Sequence, residues 1–320
     1  MGYGPLTSYP LERLPFGWYS DWRFAESPAR PSGVEYVQLI KVREDSYPPN
    51  WDAVARAARA NPGSLWLIGN EPECIWQGNR TPEQYAEIYR QSYQFLKEVD
   101  PTSQIAIGGV VQPTPLRLQW LDRAMAHYQA LYGAPMPVDV WNIHIQITLE
   151  RRGDYGSEIP VGIDADRGAD YPWWENANVD IFRQLVWDFR HWMAQRGQAH
   201  KPLIISEYGV LYPSHWFDNL GGMPGDERVK RFMRESFEFL LSARDEGIGY
   251  PDDDHRLVQR WLWFSLNYPL PGQTGDPPFN GGLCDPFTRE LTIFGEYYEQ
   301  LLNELLQEHP AAVSTSTDPR

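Results

Sequence analysis

Two glutamates occupy positions suited to chemistry. Glu71 lies in Leu67-Ile68-Gly69-Asn70-Glu71-Pro72-Glu73, and Glu207 in Pro202-Leu203-Ile204-Ile205-Ser206-Glu207-Tyr208-Gly209. Each ends a run rich in Leu and Ile, the pattern of a strand buried on both faces, and the Pro or Gly that follows opens a loop. A carboxylate at the C-terminal end of a buried parallel strand points into the mouth of a barrel. Two such groups fit cleavage of a glycosidic bond, which needs one acid beside the leaving oxygen and one carboxylate beside the anomeric carbon. A single strand-end glutamate would as readily be taken up by an arginine or a helix. The pair favours chemistry.

The elements that must hold these glutamates alternate along the chain. Strands are predicted at 16–20, 36–42, 65–69, 104–108, 138–146, 202–207 and 260–267. Helices are predicted at 50–60, 81–99, 116–132, 179–195, 226–243 and 294–305. The second helix carries a capping-box pattern, with Thr81, Pro82 and Gln84 ahead of apolar residues at helical spacing. Strand and helix in alternation predict a (β/α)8 TIM barrel in one catalytic domain, residues 1–308. Residues 309–320, with Ala-Ala-Val-Ser-Thr-Ser-Thr, read as a disordered tail or the start of a linker. Only two strands are clear before Glu71 where three are wanted. Either one is short and unrecognised, or the barrel is irregular in its first third.

Composition narrows the classes. A chain of 320 residues, 42% hydrophobic, can bury a barrel-sized core. With 43 acidic against 28 basic residues and no basic block, nucleic acid is not an expected partner. No apolar run approaches a membrane span, so no membrane is expected either. Met1-Gly2-Tyr3-Gly4-Pro5 has neither a basic nor an apolar stretch, so no signal peptide is read in this numbering. Cys74 and Cys284 make no metal motif; free thiols are favoured over a disulfide. The histidines lack ligand spacing, and no phosphate-cradling or nucleophile-elbow motif occurs, so neither a metal nor a cofactor is expected. The 14 Trp and 18 Tyr suit walls that stack on sugars, although many must be ordinary core.

These features resemble the clan A retaining glycoside hydrolases: Asn70-Glu71-Pro72, a second Glu on the strand three further on, and a Trp on the last strand. Within the clan, Trp18-Tyr19-Ser20-Asp21-Trp22 and Asn142-Ile143-His144 are similar to the glycosyl hydrolase catalytic-core family that includes endo-β-1,3-glucanases. The likeness covers roughly residues 16–300. It implies double displacement on a β-linked oligo- or polysaccharide, with Glu71 as acid/base and Glu207 as nucleophile. It favours an extracellular setting. It also implies that Asn70 meets the sugar 2-hydroxyl, the alternative being a loop Asn satisfying its own turn. Ile145 and Gln146 follow His144 where an aromatic pair is common in the family. Mannan, xylan or galactan therefore stay open as substrates, as does a carbohydrate-binding barrel without turnover.

The remaining candidates carry two readings each. His144 either holds a hydroxyl or Glu207, or is a satisfied core residue. Tyr208 either orients Glu207 or packs behind its strand. Alternation places Trp261, Trp263 and Ser265 on one face, making Trp263 the floor under the sugar if Leu262 faces the helices. Trp18, Trp22, Trp76, Trp173, Trp174 and Trp216 are candidates for further subsites. Arg43, just past the second strand, is a candidate partner of Glu207. Glu73 reads as a second cleft acid or a solvated loop charge. The oligomeric state is not legible.

Overall fold

The alternating pattern resolves, in a computed structural model describing residues 6–31, 33–269 and 281–308, into short parallel strands and longer helices. In chain order they are β1 (Trp18–Tyr19), β2 (Glu35–Tyr36), β3 (Gln38–Ile40), α1 (Trp51–Ala60), β4 (Leu65–Ile68), α2 (Pro82–Val99) and β5 (Gln104–Ile107). Then follow α3 (Pro115–Tyr132), β6 (Trp141–Ile145), α4 (Val179–Gln195), β7 (Leu203–Tyr208), α5 (Ser214–Phe217), α6 (Gly225–Ser242), β8 (Arg260–Trp263) and α7 (Ile293–Glu308). The expected tail, 309–320, lies outside the described residues. No helix among those described is long and apolar enough to cross a membrane.

Every strand pair is parallel, in the orders β1-β2, β3-β4-β5 and β6-β7-β8. Only Val37 separates β2 from β3, so the run 35–40 pairs with β1 through its first part and with β4 through its second. Bridges Ala106–Val140 and Val110–Ile143 join the β5 and β6 segments. The described residues thus hold an α/β fold of parallel runs and helices. Before β4 the structure has three short strands where the sequence shows two clear ones, because the run 35–40 is divided at Val37 into β2 and β3.

Alternation sorts the strand side chains into two layers. Trp18, Val37, Leu39, Leu65, Leu67, Ala106, Val140 and Ile204 form an inner cluster, with Trp22 and Leu262 packed against it. The intervening Ile40, Trp66, Ile68, Ile105, Ile107, Trp141, Ile143 and Ile205 pack outward, in the cluster that holds the buried helix residues. The helices begin where their caps require. Thr81 and Gln84 complete the capping box of α2, and the Asn178 side chain accepts from the N–H groups of Asp180 and Ile181 at the start of α4. Gly133, at φ 70°, ends α3 in the left-handed conformation that favours glycine. Cys74 and Cys284 are buried free thiols.

Candidate active site

The loop after β4 presents Glu71 with a left-handed backbone, φ 43°, unusual for a side chain of this size. Its N–H is anchored on the Gly109 carbonyl at 3.0 Å, and its own carbonyl accepts from Gly78 N–H at 3.1 Å. Two glycines after β5 make room. A Cβ on Gly108 would stand 2.8 Å from the Ile68 and Gly69 oxygens, and one on Gly109 would stand 2.4 Å from the His144 ring.

Glu207 reaches the same space through an irregularity in β7. Simple alternation from Ile204 would put Ser206 inward and Glu207 outward. Instead the register shifts against both β6 and β8 around this point. Ser206 and Glu207 both face the cleft, and Tyr208 returns to the helix side. A bulge re-aims a side chain in this way. Buried Asn142 takes up part of the disturbed backbone, its Oδ1 accepting from Ser206 N–H at 3.2 Å.

His144 stands between the two glutamates. Its Nδ1 is 3.0 Å from Glu71 Oε1 and 3.8 Å from Glu207 Oε2, and its Nε2 is 3.0 Å from Ser206 Oγ. Ligand atoms of Glu71, His144 and Glu207 all lie within 4.8 Å of one another. By composition this is also the set among the described residues that could hold a metal ion. A donor faces each oxygen of Glu207: Trp22 Nε1 donates to Oε1 at 2.5 Å and Gln146 Nε2 to Oε2 at 3.3 Å.

The electrostatics follow from burial. Burial is the largest influence on Glu207 and, with the charge of Glu71, pushes its pKa up to about 6; His144 and Trp22 oppose the rise. For His144, burial is again the largest influence and lowers the pKa. The charge of Glu207 and the bond to Glu71 outweigh it, so the imidazole is raised.

The other expected residues divide. Asn70 is half-buried and lines the cleft, and Trp22 bonds Glu207 from a left-handed backbone, φ 56°. Trp18 belongs to the inner cluster and also lines the cavity. Tyr208 packs behind its strand, its ring against Phe182 and its hydroxyl 3.3 Å from Ser236 Oγ. Arg43 is not at Glu207; its guanidinium donates to the carbonyls of Trp76 and Gln77. Trp263 is corrected too. Leu262 packs with the inner cluster, so Trp263 turns outward onto Tyr208, Phe232 and Phe237, and its indole N–H donates to Gly281 O. The ring at the mouth is Phe264, packed edge-on to Trp22 at 6.0 Å. The same alternation with its parity reversed finds Phe264.

Glu73 is neither a cleft acid nor solvated. It is fully buried, accepts from Arg117 Nε at 2.9 Å and from Val111 N–H at 2.8 Å, and burial raises its pKa against the pull of Arg117. Arg117 of α3 also bonds Glu150, and its other nitrogen donates to Ser157 O at 3.0 Å. Glu150 in turn accepts from Ala169 N–H at 2.9 Å. One buried guanidinium therefore ties the loop after Glu71 to the long segment between β6 and α4. Asn176 is a second tie, donating to the carbonyls of Gln146 and Ile147 while its Oδ1 accepts from Leu211 and Tyr212 N–H. Arg117 had a signal in sequence: it shares the buried helix face of Trp120, Leu121, Ala124 and Tyr128.

The cavity over these groups has a volume of about 1840 Å³, and Trp22, Asn70, Glu71, Trp76, Glu207 and Phe264 are among its lining. Comparison with known proteins gives three results. Residues 8–152 match the family model described as "Glycosyl hydrolase catalytic core", so the resemblance to that family is borne out over this stretch. No curated protein matches the chain by sequence. Solved structures share the fold. A GH128 (subgroup I) endo-β-1,3-glucanase from Amycolatopsis mediterranei, in complex with laminaritriose, is 19% identical with a TM-score of 0.58, covering 93% of this chain and 95% of that one. A subgroup II endo-β-1,3-glucanase from Pseudomonas viridiflava is 18% identical with a TM-score of 0.58, covering 93% and 94%. A subgroup III curdlan-specific exo-β-1,3-glucanase from Blastomyces gilchristii, in complex with glucose, is 19% identical with a TM-score of 0.55, covering 92% of each. The matched segment and the shared fold are what this chain has in common with these glycoside hydrolases.

Proposed function

We propose that this chain is a retaining hydrolase of β-1,3-linked glucans, working by double displacement, with residues 1–308 as one catalytic domain. The parallel runs are read as a (β/α)8-type barrel with an irregular first third. An inner cluster built from Trp18, Leu39, Leu67, Ala106 and Ile204, with Val140 just ahead of β6 and Leu262 of β8 packed against it, supports that reading.

The observation that carries the mechanism is the closeness of the two carboxyl groups. An approach within 4.8 Å suits covalent displacement, where the groups stand about 5–5.5 Å apart, and is too close to leave an attacking water between them. Glu207 suits the nucleophile because a neutral donor meets each of its oxygens and favours the anion. Its oxygen attacks the anomeric carbon as Glu71 gives a proton to the leaving oxygen, forming a glycosyl ester. Glu71 then takes a proton from water, which attacks the same carbon and releases Glu207. His144, bonded to Glu71, stabilises the negative charge left on it after the first step.

The β-1,3-glucan assignment rests on the GH128 structures, which include endo and exo enzymes, so mode of attack is not carried over. A second reading, the same mechanism on another β-glycan, is favoured by Gln146 at a position where the resembling family commonly has an aromatic. The test is a panel of β-glycans with wild type and two variants, with and without azide. Glu207→Ala in azide should yield the α-glycosyl azide from an activated substrate, and Glu71→Ala the β-azide. Undiminished hydrolysis by Glu207→Ala refutes the assignment.

A further inference from the structure

Trp76 is the most exposed of the large hydrophobic side chains described, at 61%. Tryptophan is usually well buried, so an indole this open contributes little to the fold. Yet the backbone beneath it is pinned. Arg43 donates to the Trp76 carbonyl at 2.9 Å and to the Gln77 carbonyl at 3.3 Å. Gly78 N–H returns to Glu71 O at 3.1 Å, and Asn79 N–H to Cys74 O at 2.9 Å. Gly78 also lies against Pro72, where a Cβ would stand 2.4 Å from the Pro72 Cα. A fixed loop holding out an open indole is pre-organised to bind something.

The loop starts at Glu71 and closes back on it, and both residues line one cavity. We propose that Trp76 is the platform for the sugar on the leaving-group side of the scissile bond. The chain is thereby selective for oligosaccharides that continue at least one β-linked sugar beyond the point of cleavage. This rests on Glu71 being the general acid, since that acid stands beside the leaving oxygen and the wall running from it to Trp76 borders the departing sugar. A β-linked glucose ring offers a flat face of C–H groups that an indole can cover, while its hydroxyls at the rim stay wet. Arg43 then acts at a distance, holding the loop instead of touching substrate.

The experiment compares two substrates of wild type, Trp76→Ala, Trp76→Phe and Ile75→Ala. One substrate is a β-1,3-linked glucose hexasaccharide; the other is β-laminaribiosyl fluoride, whose leaving group has no ring to stack. Trp76→Ala should lower kcat/KM on the hexasaccharide roughly 10–100-fold, at least tenfold more than on the fluoride, and Trp76→Phe should recover part of the loss. Ile75 is exposed on the same loop and controls for a disturbed backbone. Equal losses on the two substrates, or a hexasaccharide loss no larger than that of Ile75→Ala, overturn the proposal while leaving the hydrolase reading intact. Cleavage of neither substrate by wild type overturns both.

Discussion

The indole N–H of Trp22 donates to Glu207 Oε1 at 2.5 Å, and the Trp22 backbone adopts φ 56° to bring it there. A bulky residue held left-handed is strained, so the surrounding fold must enforce it. Arg43, the cation expected at Glu207, is engaged elsewhere. The candidate nucleophile is therefore held by neutral donors, Trp22 and Gln146, with His144 Nδ1 3.8 Å from its Oε2.

Removing the indole donor should cost rate and shift the titration. Trp22→Phe keeps an aromatic ring but loses a hydrogen bond to a charged group, worth about 1.5–3 kcal/mol. kcat should fall roughly 10–100-fold, and the acidic limb of kcat/KM should move to higher pH, because Trp22 lowers the Glu207 pKa. A pH–rate profile of the variant checks both. A limb that stays in place would show that Trp22 only packs.

Activity and stability should respond to acid in opposite directions. The displacement proposed for Glu207 needs its ionised form, so kcat/KM should fall about tenfold per pH unit below about 6. Folding runs the other way. The folded carboxyl holds its proton up to about 6, and the ordinary value is 4.5, so between these the folded state binds more protons. Stability therefore falls as pH rises through that window, by about 2 kcal/mol at most. Glu207→Gln should remove this decline while abolishing turnover, as denaturant melts at pH 4.5 and 7 would show. An unchanged pH dependence of stability in the variant contradicts the burial argument.

Arg117 is a structural cation, and its removal should be expensive. It is fully buried between Glu73 and Glu150, which are also fully buried. Breaking such a pair from one side leaves buried charge uncompensated, at about 3–5 kcal/mol. Arg117→Met should lower Tm by roughly 5–7 °C. Adding Glu73→Gln and Glu150→Gln should recover much of that loss, because neutral amides need no counter-charge. A thermal melt of the single and triple variants measures it.

The glutamates and most element bounds were legible because apolar runs, caps and breakers are local signals. Thr81-Pro82-Gln84 announces α2, and the Ile and Leu before Glu71 and Glu207 announce β4 and β7. Two kinds of information were not local. The inward face of β8 depends on which of its two faces the neighbouring runs enclose, and the sequence of Trp261-Leu262-Trp263-Phe264 is apolar on both. The bulge at Ser206 depends on pairing with β6 and β8, so periodicity alone would turn Glu207 outward. The Glu73–Arg117–Glu150 association joins residues far apart in the chain. Of its members, Arg117 alone carried a clue, as a charge on an apolar helix face.

The reversal at β8 yields the sharpest contrast between two adjacent residues. Trp263 is 8% exposed and packs on Tyr208, Phe232 and Phe237, with its indole N–H bonded to Gly281 O. Trp263→Ala should destabilise the fold by about 3–5 kcal/mol, the usual cost of truncating a large core aromatic. Phe264 is half-buried at the cleft, edge-on to the Trp22 that holds Glu207. Phe264→Ala should change stability by much less, on the order of 1 kcal/mol, but lower kcat/KM about tenfold or more through a loosened Trp22 and a lost sugar contact. Paired melts and kinetics on folded protein separate the two. If Trp263→Ala melts normally yet loses substrate affinity, the tryptophan faces the sugar after all and the parity of β8 is the one first read from its sequence.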